Sequence, residues 1–202
     1  MKKILLLVSI VAIIIIASLN SKGILKLFYK TKYSEYVEKY ATEYNVDRLL
    51  IYAIIKAESN FDDRATSNRG ACGLMQLMDG TAREVANNEV IEYQTDDALY
   101  NPEKNIMIGT KYYADLKQKF GNDEVALAAY NAGSGNVQNW IQQKIIKADG
   151  TDIENIPFKE TNTYVRKILR DYKIYKRLYL WYRNKNYNWH INMPQMWKRK
   201  YQ

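Results

Sequence analysis

From Tyr33 to Tyr182 apolar side chains recur at helical spacing, and no stretch alternates convincingly enough to read as a strand. Such a chain buries helices against helices, so a mainly α domain is expected. Tyr33 to Tyr44 reads as a short amphipathic helix closed by a turn at Asn45-Val46. Asp47 supplies a cap for the helix in DRLLIYAIIKAES, which puts Leu50, Ile54 and Glu58 on one stripe. Asn60 to Gly73 breaks the periodicity and predicts an ordered loop, and Thr81 opens a short helix, TAREVANN. Asn101-Pro102-Glu103 is a strong start signal, with a cap, a proline in the first turn and an acid at the positive end. That helix should run through Ile108 and Tyr112 to about Phe120. Gly121-Asn122 ends it and begins EVALAAYNAG, small and apolar enough for close packing. Gly133 and Gly135 interrupt before VQNWIQQKII, Asp149-Gly150 turns, and Pro157 closes the next loop. Thr161 to about Tyr182 forms the last long helix.

The 202 residues suffice for one compact domain, and 47% hydrophobic with 26% charged residues rules out general disorder. A single cysteine, Cys72, excludes an internal disulfide and a cysteine-built zinc site. The only histidine, His190, removes the usual His-rich metal sites and argues against a Ser-His-Asp triad. Acid–base chemistry therefore falls to carboxylates. A net charge of +8 favours anionic surroundings without choosing among nucleic acid, phospholipid and cell wall.

Lys2 and Lys3 precede an uncharged run from Ile4 to Leu19, a helix of about 24 Å against a hydrocarbon core of roughly 30 Å. The apolar character resumes at Gly23-Ile24-Leu25. An uncleaved anchor is preferred over a cleaved signal, because no clean A-x-A site follows and bulky isoleucines reach almost to the polar boundary. Residues 1–22 are thus expected to form a transmembrane anchor or uncleaved signal segment, 33–182 the main domain, and 183–202 a basic aromatic tail. The expected placement is single-pass in the cell membrane with the domain extracytoplasmic, or secreted if the segment is cleaved. Lysines on both flanks, Lys2 and Lys3 against Lys22 and Lys26, leave topology open on charge alone. The tail reads first as a solvated basic end, then as a wall or membrane contact; no nucleic-acid partner is expected.

The chemistry concentrates in AESNFDDRATSNRGACGLMQLMDGTA, Ala57 to Ala82. Glu58 ends the core-facing stripe of an apolar helix, where burial would raise its pKa as a general acid requires; a solvent-exposed last-turn glutamate is the plainer alternative. Gly70 and Gly73 permit turns or close ligand approach, Gln76 offers a donor and an acceptor, and Met75 and Met78 give adaptable apolar surface. These features suit a groove for a neutral polar polymer without specifying a reaction.

Three blocks resemble the bacterial lytic transglycosylases of the soluble murein transglycosylase (SLT) family, similar to glycoside hydrolase family 23. They are ESNFDDRATSNRGACGLMQLMDGTA, then NPEKNIMIGTKYYADLKQKFG with ALAAYNAGSGNVQNW, then PFKETNTYVRKIL. The resemblance spans about Tyr36 to Tyr172 and implies a lysozyme-like helical domain beside the N-terminal anchor or signal helix. It implies Glu58 as catalytic acid, with Ser67 and Gln76 contacting substrate or orienting the acid. Met78 falls on an apolar groove position, Tyr130 and Asn131 fall beside the carboxylate with Tyr130 positioning it, and Glu160 falls on a structural or groove position. Two departures stand out: Asp63-Arg64 replaces the usual Asn-Pro, and Asp79 replaces the proline of a Met-Pro step.

The implied activity is non-hydrolytic cleavage of the MurNAc-β-1,4-GlcNAc bond of peptidoglycan, leaving 1,6-anhydromuramyl ends. One carboxyl serves as acid and then as base. The alternatives are a muramidase using Asp62, Asp63 or Asp79 as second carboxylate, and a catalytically silent wall-glycan-binding module. Expected partners are glycan strands, the membrane through the N-terminal helix, and wall-synthesis, secretion or conjugation machinery. No cofactor and no metal are implied.

Overall fold

A helix that is apolar on every side has to sit inside, and Arg48–Glu58 does so: each residue from Leu49 to Ile55 is buried. The computed structural model describes residues 21–89 and 96–180. Its helices are α1 (Ser21–Phe28), α2 (Ser34–Glu43), α3 (Arg48–Glu58), α4 (Asp79–Glu89), α5 (Pro102–Phe120), α6 (Asp123–Ala132), α7 (Ser134–Gln142) and α8 (Lys159–Tyr179). Short 3-10 turns occupy Asp96–Tyr100 and Ile153–Asn155. α2 and α8 pack on α3, α6 packs on α5, α7 and α8, and α4 packs on α5. Strand structure among the described residues amounts to two isolated antiparallel bridges, Thr66 with Cys72 and Cys72 with Leu77. The mainly α expectation holds.

The caps act where the sequence places them. Asp47 Oδ1 accepts from Leu49 N at 2.8 Å, Asn101 Oδ1 from Lys104 N at 3.0 Å, and Asn122 Oδ1 from Val125 N at 2.8 Å. Three boundaries differ. α4 starts at Asp79 rather than Thr81, because Ala82 N already bonds back to Met78 O at 2.9 Å. α7 starts at Ser134, so Gly135 lies inside its first turn, and it stops before the KII of VQNWIQQKII. Lys144 there adopts a left-handed φ of 58° and turns Ile146 into the core. α8 starts two residues before Thr161, since Asn162 N bonds to Phe158 O at 2.9 Å.

Tyrosines fasten the segment after α1 to the side of α8. Tyr29 OH donates to the buried Asp171 at 3.1 Å, Tyr175 OH to Lys30 O at 2.8 Å, and Tyr179 OH to Tyr29 O at 2.7 Å. The expected single-pass membrane placement is corrected: among the described residues no helix is long and apolar enough to cross a membrane. The run Ile4 to Leu19 and the tail 183–202 lie outside the described residues.

Candidate active site

α3 hands the chain into a sharp reversal. Asn60 and Phe61 both take left-handed φ values, 51° and 68°, and the Phe61 ring is buried against Tyr52 at 6.4 Å between centroids. Consecutive non-glycine residues in this region carry backbone strain, held here by the surrounding core. The reversal leaves Glu58 as the last helical residue, at the edge of the core with partial solvent access.

Two groups from α8 reach that end of α3. Tyr164 OH donates to Glu58 Oε1 at 2.5 Å, and Lys167 Nζ donates to Ala57 O at 3.1 Å. Burial pushes the Glu58 carboxyl up to about 7, while the Tyr164 hydrogen bond and the Lys167 charge pull it back toward the ordinary range. The phenols of Tyr164 and Tyr130 are themselves driven well above the usual tyrosine range by burial, then by the nearby Glu58 charge, so both stay protonated donors.

Beside this end of α3 lies the loop Gly73–Gln76, held by Ser59, by α5 and by α6. Asn105, fully buried on α5, accepts from Met75 N at 2.8 Å and donates to Cys72 O at 3.0 Å and Leu99 O at 2.8 Å. Tyr130 OH on α6 donates to Met75 O at 2.8 Å. Ser59 Oγ, next to the acid, donates to Leu74 O at 2.9 Å. Met75 packs on Gly109, where a Cβ would fall 2.6 Å from the Met75 sulfur. Gly73 has φ +75°, and a Cβ there would lie 2.2 Å from Leu99 O, so no side chain fits.

The residues singled out from sequence therefore divide by position. Gln76, itself at φ 47°, donates through Nε2 to Ala65 O at 3.1 Å and Gly73 O at 3.0 Å. Met78 stands exposed at the start of α4. Ser67 organises a turn: its Oγ accepts from Ala71 N at 3.0 Å, and its amide donates to Ala71 O at 2.9 Å. Asn131 Oδ1 accepts from Thr161 Oγ1 at 2.7 Å, joining α6 to α8. Glu160 is exposed in the first turn of α8. Tyr130 lies near Glu58 but spends its hydroxyl on Met75, and the bond to the acid comes from Tyr164.

Sequence reasoning passed over Tyr164, Lys167 and Asn105. Tyr164 lies in the block PFKETNTYVRKIL, three residues after Thr161 and four before Ile168, both buried, and that spacing was the available signal. The other acids are engaged elsewhere. Asp62 caps its own turn by accepting from Arg64 N at 2.9 Å, the Asp63 charge acts on the Tyr33 hydroxyl, and Asp79 pairs with Arg83 at 2.8 Å. Among the described residues no grouping of ligating side chains could hold a metal ion.

The site is one desolvated carboxyl at the end of a buried helix, with a hydrogen-bonded loop beside it, in a mainly helical domain of the lysozyme-like kind that the family resemblance implies. The chain belongs to the Transglycosylase SLT domain family, whose model matches residues 35–153. It is 36% identical over 151 residues to the soluble lytic murein transglycosylase of Escherichia coli K12, covering 73% of this chain and 23% of that protein. It is 30% identical over 174 residues to the membrane-bound lytic murein transglycosylase C of Edwardsiella ictaluri, covering 73% and 47%. The crystal structure of the 70 kDa soluble lytic transglycosylase from Escherichia coli superposes with a TM-score of 0.71 at 34% identity, over 76% of this chain and 25% of that one. An inactive mutant of lytic transglycosylase Slt from Pseudomonas aeruginosa gives 0.70 at 32%, over 82% and 27%. The chain spans about a quarter of the length of the first of these relatives.

Proposed function

We propose that this protein is a peptidoglycan lytic transglycosylase that cuts the MurNAc-β-1,4-GlcNAc bond without water and leaves 1,6-anhydromuramyl ends. One observation carries the reading: Glu58 is a desolvated carboxyl raised to about 7, and among the described residues its perturbing neighbours are a tyrosine and a lysine, with no second carboxylate. Hydrolysis by the usual route needs a second carboxylate as nucleophile or base. Intramolecular capture needs only one group that gives a proton and then takes one. The names of the relatives, murein transglycosylases, support the substrate class.

In this mechanism protonated Glu58 donates to the bridging oxygen as the bond to the muramyl C1 breaks. The ionised carboxylate that results keeps the Tyr164 hydrogen bond, which is stronger to a charged acceptor. The substrate's N-acetyl carbonyl supports the developing positive charge at C1. Glu58 then takes the proton of the C6 hydroxyl as that oxygen closes on C1, and the enzyme returns to its starting state. Gln76 and Met78 serve the groove, while Ser67, Tyr130 and Asn131 hold the loops and helices that form it.

Incubation of the full chain with purified peptidoglycan, beside Glu58→Gln, tests this by mass spectrometry of the products. Anhydromuramyl ends, one water lighter than reducing ends and absent with the variant, are expected. Reducing ends would sink the transglycosylase reading in favour of a muramidase. Glycan retention without cleavage, unchanged by the substitution, would make the domain a binding module.

A further inference from the structure

A group that must act as acid and then as base within one turnover needs a proton affinity near the working pH in both directions. Burial alone favours only the protonated form of Glu58. Among the described residues, the titratable groups facing it are Tyr164 and Lys167 from α8 and Tyr130 from α6. The Gly73–Gln76 loop carries no titratable side chain, and Asn105 of α5, which holds it, spends its amide on Met75 N, Cys72 O and Leu99 O. Lys56, two residues before the acid, turns to Asp171 at 3.7 Å. Lys167 is thus the one cation in this set.

Its placement is specific. Lys167 lies one helical turn beyond Tyr164 on α8, half-buried, and its ammonium donates to the Ala57 carbonyl rather than to the carboxylate itself. That carbonyl belongs to the last turn of α3, whose carbonyls lack intrahelical partners. The contact therefore fixes the turn that presents Glu58 and holds a positive charge behind the acid without a direct ion pair. A direct pair would keep Glu58 ionised and unable to donate; a charge one residue away favours the carboxylate only partly.

We propose that Lys167 is a positioning residue for the acid–base cycle, tying down the last turn of α3 and stabilising the carboxylate that Glu58 becomes between its two proton transfers. The inference rests on the transglycosylase reading for its consequence in turnover, but not for its effect on Glu58. Two variants of the full chain separate charge from structure: Lys167→Met removes the ammonium, and Lys167→Arg keeps a cation that can still reach the Ala57 carbonyl.

The test follows the ¹³C resonance of the Glu58 carboxyl through a pH titration in wild type and both variants, alongside the pH profile of anhydromuramyl release. Lys167→Met should move the Glu58 midpoint and the alkaline limb of activity to higher pH together, by on the order of half to one unit. Turnover on the acid side of the limb should fall on the order of tenfold. Lys167→Arg should leave the midpoint near wild type. An unmoved midpoint in a folded Lys167→Met protein overturns the proposal, as do equal shifts in both variants, which would reduce Lys167 to a structural tie. Wild-type protein that releases no anhydromuramyl ends would defeat the transglycosylase reading, while the carboxyl titration would still decide the electrostatic role of Lys167.

Discussion

The Tyr164 hydroxyl and Glu58 Oε1 lie 2.5 Å apart although 106 residues separate them along the chain. Neither end of this bond has meaning alone. α3 carries the acid to the edge of the core, and α8, packed along α3, brings the only phenol that bonds it among the described residues. The consequence is a carboxyl desolvated enough to hold a proton near neutral pH and solvated enough, by one donor, to release it.

Stability should carry the signature of that carboxyl. The unfolded group titrates near 4.5 and the folded one near 7, so between these values only the unfolded state releases its proton. Wild type therefore loses stability as pH rises through this window, by up to about 3 kcal/mol, and no further above it. Glu58→Gln lacks the effect and should melt higher than wild type at about pH 8, with the gap closing near about pH 4. Calorimetry across this range checks it, and a gap independent of pH would contradict the assignment.

Tyr164→Phe and Tyr130→Phe should differ in kind. The first removes a donor to the ionised acid, so the carboxyl rises, the alkaline limb of activity moves up, and turnover falls on the order of tenfold to a hundredfold. The second leaves Met75 O without its donor and should cost about 1–3 kcal/mol of stability with the limb unmoved. Equal pH profiles for the two variants would mean that the hydrogen bond to Glu58 is not what distinguishes these phenols.

Asn105→Ala strands two buried backbone groups, Met75 N and Leu99 O, and takes from Cys72 O one of its two donors, the other being Leu77 N at 3.0 Å. A loss of about 3 kcal/mol or more in urea unfolding is expected, with reduced cleavage because the Gly73–Gln76 wall loosens. A cost below about 1 kcal/mol would show that the loop has other restraints of equal strength.

Gly109 and Met75 form a matched pair, since a Cβ on Gly109 would sit 2.6 Å from the Met75 sulfur. Gly109→Ala should cost about 1–3 kcal/mol by overpacking, and Met75→Ala about 2–5 kcal/mol by opening a cavity. The double variant should be more stable than the sum of the two losses predicts, by about 1 kcal/mol or more. Strict additivity would disprove the contact.

The local sequence carried most of the helices because their signals are local. Asp47, Asn101 and Asn122 bond amides two or three residues ahead, and such bonds depend on nothing distant. Glu58 was legible for the same reason: its spacing from Leu50 and Ile54 put it on the buried stripe of α3. Boundaries were lost where the backbone leaves the regular pattern, as at Lys144, whose left-handed φ serves to bury Ile146 and leaves no trace in QQKII.

What the chain alone determined, then, is a helical domain, its order of elements and the carboxylate that ends α3. Tertiary structure decided which side chains answer that carboxylate. Tyr130 and Tyr164 are both buried phenols near Glu58, and sequence spacing cannot say which hydroxyl reaches the acid and which reaches Met75 O. The packing of α6 and α8 against α3 makes that choice, because a hydrogen bond fixes its partners to within a few tenths of an ångström. Helical periodicity assigns a residue to a face, and only the packed helices bring two faces to that distance.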